Sequence, residues 1–181
     1  VSEQPVLKKK LRSKEMMAFF AGLEPTAIGI ETWGGAHHWA REPAALGHEG
    51  KLLAPQHVKP YVKRGKNDAA DAAAICEAMS RPSMRFVATK SAEQQAALML
   101  AGMRDRLIRN RTQLSNAIRS YAAEFGLVAA KGLERIEPLL ARTASDETLP
   151  KLAQELFAVH GREYVRLQIE IRDVEAKLMA W

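Results

Sequence analysis

Two long helical stretches with regularly spaced apolar residues constrain the fold of this chain more than any other feature. The first runs from Ser91 to about Glu124, and the pattern Ser-Ala-Glu-Gln at its start is typical of a capping box. The second follows residue 150, and its apolar residues are spaced by seven, three, four, three and four: Phe157, Tyr164, Leu167, Ile171, Val174 and Leu178. This spacing is typical of a coiled-coil seam, so we predict that the two helices pair with each other or with those of a second subunit.

The first long helix carries a heptad pattern of its own. Apolar residues recur every seven positions, and further apolar residues lie between them. Together they predict a seam made of Leu100, Met103, Leu107, Leu114, Ala117 and Tyr121. Asn110 occupies a seam position, where a polar side chain would set the register of the pairing at some cost in stability.

The first 90 residues show a different pattern, in which short apolar runs alternate with helical stretches. Residues 26–30, 51–54 and 85–88 are predicted strands, and the order of elements favours an α/β sheet with covered faces. We therefore predict three parts. Residues 1–90 form the α/β domain, residues 91–142 form the Arg-rich long helix with a short helix, and residues 143–181 form a polar linker and the start of the second coiled-coil helix.

The charge of the chain is unevenly distributed. The net charge is +6, yet residues 143–181 hold five basic and seven acidic side chains, so residues 1–142 carry +8. A basic body favours a polyanionic partner, most simply nucleic acid. An anionic membrane surface is the competing interpretation, but no basic amphipathic helix with Trp or Phe on its apolar side supports it. No apolar run approaches the roughly 18 residues that a membrane span needs.

The single cysteine, Cys76, excludes an internal disulfide and is consistent with a reducing cytoplasm. Its place in a predicted helix indicates a small buried apolar residue rather than a reactive one.

Two aspartates, Asp68 and Asp71, lie three residues apart in a predicted helix from residue 69 to 79. Residues at this spacing are neighbours on one helical face, so their carboxylates would converge. Hard oxygen ligands of this kind favour Mg²⁺ or Mn²⁺. The alternative is that Asp68 only caps the helix and Asp71 is a favourable acid in its first turn. Glu31 follows the apolar strand at residues 26–30, where open α/β sheets place functional groups.

Basic residues near these acids are candidates for phosphate contacts. Lys63, Arg64 and Lys66 surround Gly65 in the loop before Asp68, and the first long helix carries further arginines. Five arginines against one acid in residues 101–123 favour phosphate contact over a merely solvated helix face. The arginines assigned to nucleic acid are Arg104, Arg106, Arg109 and Arg111, and Arg119 lies beside the same seam.

Two adjacent histidines and two tryptophans lie close to Glu31 in the sequence. His37 and His38 would point about 100° apart on a helix, so capping or substrate contact is favoured over joint metal ligation. Trp33 and Trp39 are interpreted as core or helix-packing residues rather than as platforms for base stacking.

Three segments of the chain resemble the DEDD transposases of bacterial insertion sequences. They are Gly29-Ile-Glu31-Thr-Trp-Gly-Gly-Ala-His-His-Trp39, Val58-Lys-Pro-Tyr-Val-Lys-Arg-Gly-Lys-Asn-Asp68-Ala-Ala-Asp71-Ala, and Met84-Arg-Phe-Val-Ala-Thr-Lys-Ser-Ala-Glu-Gln-Gln95-Ala-Ala97. With their flanks they cover residues 7–132. The resemblance implies an α/β fold with a RuvC-like (RNase H-like) sheet and flanking helices, followed by long coiled-coil-like helices and then a serine-bearing domain.

The resemblance also implies a chemistry. Four acids of the family hold divalent metal ions for strand cleavage and transfer, and Glu31, Asp68 and Asp71 correspond to three of them as catalytic metal ligands for Mg²⁺ or Mn²⁺. The implied partners are DNA and, as in the bridge-RNA-guided members, a structured guide RNA. A homo-oligomer joined through the long helices and a bacterial cytoplasmic, nucleoid-associated location are further expectations.

The chain departs from the family pattern in two respects. The first acid of the family is an Asp on the leading strand, but no Asp precedes Asp68, so we expect that first strands of the sheet are missing. The nucleophilic serine lies beyond residue 181, so we expect truncation at both ends. Two functions remain open: a transposase fragment with three of its four acids, or a non-catalytic, nucleic-acid-binding and oligomerising remnant. In either case we expect that the chain alone does not cut or join DNA.

Overall fold

The computed structural model of the chain describes residues 7–62 and 67–181. The basic residues predicted to contact phosphate in the loop, Lys63, Arg64 and Lys66, lie outside the described residues. The chain divides into two compact units, Val1–Gln94 and Gln95–Trp181, while the three-part division drawn from the sequence stays a prediction. In chain order, the elements are α1 (Ser13–Ala21), β1 (Ala27–Glu31), α2 (Ala36–Arg41), β2 (Glu49–Leu53), α3 (Pro55–Val58), α4 (Asp68–Met79), α5 (Ala92–Glu124), α6 (Ile136–Ser145) and α7 (Lys151–Ala180).

The first unit is built on a parallel pair of strands, which confirms the predicted α/β class. β1 pairs with β2 in a register that joins Ala27 to Glu49 and Glu31 to Leu53. A parallel connection requires a crossover, and α2 with the 3₁₀ turn Pro43–Leu46 provides it. Pro43 is the first residue of that turn, so the helix ends before it at Arg41, as a proline demands.

The prediction of a third strand at residues 85–88 is wrong. Within the described residues this segment makes a single antiparallel bridge, in which the amide of Val87 donates to the carbonyl of Leu52 at 2.8 Å. Val87 packs against the core beside Leu52, whereas Phe86 is exposed, with the Lys51 ammonium 5.2 Å from its ring centroid. Only one residue of the run reaches the sheet, so no ladder extends from it.

Two glycines allow helices to approach opposite faces of the sheet. A Cβ atom at Gly29 in β1 would collide with the Met79 sulfur and would lie 2.7 Å from Ile75 Cγ2, so α4 covers this face. A Cβ at Gly50 in β2 would lie 2.6 Å from the carbonyl oxygen of Ala40, so α2 covers the other face. Since side chains alternate along a strand, the residues two positions from Gly29 share the face that α4 covers.

The second unit is an antiparallel pair of long helices with α6 packed beside them. The first part of α5 lies beside the last part of α7, where the Arg104 guanidinium binds Glu175. At the other end of the pair, the rings of Phe125 and Phe157 meet edge to face with centroids 6.3 Å apart. The apolar residues predicted for α7 are the ones that the interface buries, with Leu178 partly buried at its end. The pairing of the two long helices within one chain is thereby confirmed.

The heptad seam predicted for α5 is only partly right. Leu107 is 2% exposed, but Tyr121 is 53% exposed and Met103 is 40% exposed. Ile118 and Ala122 are buried instead. The step from Leu107 to Ile118 is eleven residues, which matches a straight α-helix more closely than two heptads would. The buried stripe therefore drifts away from a strict seven-residue repeat.

Ser91 caps the start of α5, as the sequence predicts. Its hydroxyl accepts from the amide of Gln94 at 3.1 Å, and the Gln94 side-chain oxygen accepts from the amide of Ser91 at 3.0 Å. This reciprocal pair is a capping box. In the part of the chain that the structure describes, no helix is both long enough and apolar enough to cross a membrane.

Candidate metal centre and nucleic-acid interface

Glu31 is the last residue of β1, at the carboxyl end of the parallel strands. Because it lies two residues after Gly29 and opposite Leu53, it shares the face of the sheet that α4 covers. Leu53 is fully buried there and packs with Ala74 and Ala78 of α4. The strand therefore ends with a partly buried glutamate on the face of the sheet that α4 covers.

The start of α4 differs in detail from the sequence prediction. Asn67 caps the helix, because its side-chain oxygen accepts from the amide of Ala70 at 2.8 Å. The interpretation of Asp68 as the cap is therefore wrong, and the helix begins one residue earlier than predicted. Asp68 and Asp71 are both acids of its first turn, where the positive end of the helix dipole favours them.

Glu31 and Asp71 line one cleft of about 590 Å³. The other residues that line it are Pro55, Gln56, Val58, Lys59 and Val62. Asp68 does not line the cleft: its side chain is 92% exposed, and its carboxylate lies 3.8 Å from the Lys10 ammonium. The structure thus brings two of the three predicted acids to one cleft.

The donor set of this cleft suits one hard divalent ion. Mg²⁺ is commonly held by one or two carboxylates and keeps several waters. Over residues 7–62 and 67–181, no group of three or more His, Cys, Asp or Glu side chains is arranged to hold a metal ion. The three-acid site of Glu31, Asp68 and Asp71 accordingly stays a prediction.

Lys59 is a cleft residue that the sequence reasoning did not single out. It begins the 3₁₀ turn Lys59–Tyr61 directly after the buried Val58. Among the described residues it forms no ion pair, so its ammonium is available beside the two carboxylates. A lysine followed by proline in the segment leading to the basic loop is the sequence signal that could have pointed to it.

The arginines of α5 fall into two groups. Arg104 is bound to Glu175, with its Nη2 2.8 Å from the carboxylate, and therefore helps to join the two long helices. Arg111 is half-buried, and its Nε has no hydrogen-bond partner in the described part of the chain. Arg106 and Arg109 are exposed and, within that same part, have neither ion pairs nor hydrogen bonds. Of the five arginines of α5, Arg106 and Arg109 are therefore the ones with exposed side chains.

Arg111 and Arg119 also contribute to the interior of the second unit. Arg119 donates from Nη2 to the carbonyl of Gly132 at 2.7 Å, which ties the loop before α6 to α5. Burial raises the pKa of the Tyr164 hydroxyl, while the two arginines act in the opposite direction. That hydroxyl lies 3.2 Å from the carbonyl of Leu133 and donates to it.

The histidines and tryptophans near Glu31 take separate roles. His38 lies 3.5 Å from the carboxylate of Glu42, the residue that follows the end of α2. His37 contacts Lys90, and burial first, then the charges of Lys90 and Arg41, lowers its pKa. Trp33 is 63% exposed, so its interpretation as a core residue is wrong. The turn at Gly34 and Gly35 that follows it leaves the ring in solvent.

Trp39 is half-buried and packs edge to face with the ring of His38, at 5.1 Å between centroids. Cys76 is exposed, contrary to the expectation of a buried residue. It lies two residues from each of the buried Ala74 and Ala78, and residues at that spacing point to different sides of a helix.

Comparison with known proteins identifies the family of this chain. The DEDD transposase model of the IS110 type, described as "Transposase", matches residues 9–125. The chain therefore belongs to the IS110-type DEDD transposase family, as the sequence motifs indicated. No solved structure matches the chain significantly.

Curated relatives support this assignment. The chain is 65% identical to a putative transposase of Sinorhizobium fredii, over 98% of this chain and 46% of the relative. It is 44% identical to a probable family 20 transposase of Pseudomonas aeruginosa, over 97% of this chain and 51% of the relative. It is 38% identical to a transposase for insertion sequence element IS1111A of Coxiella burnetii, over 95% and 48%. The chain thus spans about half the length of the curated relatives it matches.

Proposed function

We propose that this chain is the part of an insertion-sequence transposase that binds nucleic acid and a divalent cation. In the whole protein, this part would serve DNA transposition by metal-dependent strand cleavage and transfer. The observation that carries the proposal is the shared cleft of Glu31 and Asp71, which combines a strand end with a helix start in a member of the DEDD family.

The cleft assigns a task to each of its charged residues. The carboxylates of Glu31 and Asp71 would hold Mg²⁺ or Mn²⁺, and Asp68, in the same helical turn, is the further candidate ligand. Such an ion, when bound, activates water and stabilises a leaving oxygen at phosphorus. Lys59 would bind a phosphate oxygen and so hold the strand against the carboxylates, which would otherwise repel it.

The nucleic-acid partner is proposed from the distribution of charge. Residues 1–142 carry 22 basic against 14 acidic side chains, and Arg106 and Arg109 present accessible guanidinium groups on α5. DNA is the substrate that the transposase family suggests, and a structured guide RNA is the second proposed partner. The protein would act on DNA in the bacterial cytoplasm.

Replacing Arg106 and Arg109 with Ala should weaken nucleic-acid binding and make it less dependent on salt. For each phosphate that the variant no longer neutralises, the slope of log K against log salt should fall by about 0.9 on duplex DNA and about 0.7 on a single strand. Fluorescence anisotropy at several salt concentrations measures both quantities. The matched control is Arg162→Ala with Arg172→Ala, which removes the same charge from the exposed side of α7. Equal slopes for the two double variants would show that only net charge matters.

DNA nicking distinguishes a catalytically active transposase fragment from the non-catalytic, nucleic-acid-binding alternative. We expect that the purified chain with Mg²⁺ does not nick supercoiled DNA, with or without a structured RNA. A metal pair requires more ligands than the two carboxylates that line the cleft. Agarose gels of the plasmid forms provide the measurement. Nicking by the wild-type chain that Asp71→Asn abolishes would contradict this expectation.

Self-association remains part of the proposal, but through other residues than those first considered. The seams of α5 and α7 cover each other within one chain, so they are not available to a second copy. For an interface between copies we propose exposed apolar residues of α7, of which Leu152, Leu156 and Val159 share one helical stripe.

A further inference from the structure

His37, Arg41 and Lys90 form a cluster of donors in the first unit, outside the cleft of Glu31 and Asp71. The amide of Lys90 donates to Nδ1 of His37 at 3.1 Å, and the Lys90 ammonium lies 3.2 Å from Nε2 of the same ring. Arg41 donates from Nη1 to the carbonyl of Lys90 at 2.6 Å. Both backbone groups of Lys90 are thus fixed by side chains of α2.

The hydrogen bond from the Lys90 amide determines which ring nitrogen of the neutral His37 carries the proton. Since Nδ1 accepts from the Lys90 amide, the neutral ring has its proton on Nε2, which is then a donor. Burial lowers the pKa of His37, and the charges of Lys90 and Arg41 lower it further, so the ring is neutral at neutral pH. The Lys90 ammonium has donors only. Two donors therefore face each other at 3.2 Å with no acceptor between them.

An oxyanion supplies the acceptor that this arrangement lacks. One oxygen can accept from the imidazole N–H and from the ammonium together, and its charge is balanced by Lys90 and by the neighbouring Arg41 guanidinium. Within the described residues, the remaining guanidinium nitrogens of Arg41 make no further hydrogen bond or ion pair. The Glu93 carboxylate, whose pKa the charge of Arg41 helps to lower, accepts from the hydroxyl of Ser91.

We propose that His37 and Lys90 bind a phosphodiester group of the nucleic-acid backbone, with Arg41 as the residue that positions Lys90. This inference rests on the proposed function, because the ligand is the same polyanion. It adds a second contact point on the other face of the sheet, since α2 covers the face of Gly50 and α4 covers the face of Gly29. The turn from Glu31 to Ala36 connects the two sites along the chain.

Neutral and charged members of the site should differ in their effect on salt dependence. Lys90→Met removes the ammonium but keeps the amide that binds His37, so affinity should fall several-fold and the slope of log K against log salt should drop by about 0.7 on a single strand. His37→Phe removes a neutral donor without changing the charge, so affinity should fall while the slope stays unchanged. Lys14→Met, an exposed lysine of α1, is the control for charge alone.

The experiment has two arms on the full chain. In the first, fluorescein-labelled single-stranded DNA and RNA of the same sequence, and duplex DNA, are titrated by anisotropy at several salt concentrations. A preference among the three identifies which backbone occupies the site. In the second arm, inorganic phosphate is titrated while the His37 ring nitrogens are followed by NMR. We expect a saturable shift in the wild type and in Lys14→Met, and none in Lys90→Met.

The outcomes separate this inference from the proposed function. If wild-type chain binds oligonucleotides and Lys90→Met behaves like Lys14→Met in affinity and slope, the site is refuted and the proposed function stands. If no oligonucleotide binds but His37 responds to phosphate, the proposed function fails and the oxyanion site stands without its nucleic acid. If His37 does not respond to phosphate and the slopes do not differ, the inference is overturned.

Discussion

Replacing Ile171 with Asp is expected to unfold the second unit, with the largest loss of stability of any substitution considered. Ile171 is 3% exposed and packs with Leu107, Leu167 and Val174 between the two long helices. A carboxylate there would be buried without a partner, which typically costs about 3 to 5 kcal/mol. Urea denaturation followed by circular dichroism measures the free energy of unfolding.

Ile169→Asp is the control for this substitution. It places the same charge on the same helix two residues away, at a position that is 52% exposed. Surface changes of this kind usually stay within about 0.5 kcal/mol. If the two variants lose equal stability, the helix pairing described for α5 and α7 does not bury Ile171.

Gly50→Ala is expected to destabilise the first unit by about 3 kcal/mol, at the upper end of the range for overpacking. The added Cβ would lie 2.6 Å from the carbonyl oxygen of Ala40 and 2.8 Å from its Cα. These are backbone atoms of α2, so relief requires the whole helix to move from the sheet. Gly29→Ala should cost less, because the flexible Met79 side chain can move away from the new atom.

Gly102→Ala is the matched control for Gly50→Ala. Gly102 lies inside α5, and a Cβ there would meet nothing within 4 Å. Alanine should therefore raise stability by about 1 kcal/mol through its helix propensity. The same chemical change thus has opposite signs at the two positions. A Gly50→Ala protein that melts like the wild type would contradict the close packing of α2 on β2.

The local signals in the sequence predicted the helices well. The Ser91 capping box and the apolar spacing of α7 are read within a few residues of one another, and the structure confirms both. The prediction of a third strand was wrong because a strand needs a partner from a distant part of the chain. Only Val87 of residues 85–88 bonds to such a partner, Leu52. The seam predicted for α5 was partly wrong for a similar reason. The buried residues of α5 are those that pack against α6 and α7, and their positions do not follow the heptad repeat of α5 alone.

The part of the candidate site that lies at the end of a strand and the start of a helix was predictable from the sequence. A strand that ends in Glu31 and a helix that starts beside Asp71 indicated a shared location, and one cleft contains both. The partners of charged residues were not predictable in this way. Arg104 finds Glu175 across 71 residues, and Lys90 meets His37 across 53, so neither contact leaves a periodic pattern in the sequence.

Binding of Mn²⁺ to the cleft tests the central claim most directly. Amide NMR signals of the wild-type chain are recorded during a titration with paramagnetic Mn²⁺. The account predicts saturable broadening centred on Glu31 and Asp71, reversed by excess Mg²⁺, and lost in Glu31→Gln and in Asp71→Asn. Asp68→Asn measures whether the third acid contributes, and Asp105→Asn on α5 is the control that should leave the broadening unchanged. Broadening that is absent near Glu31, or that survives both cleft substitutions, would contradict the account.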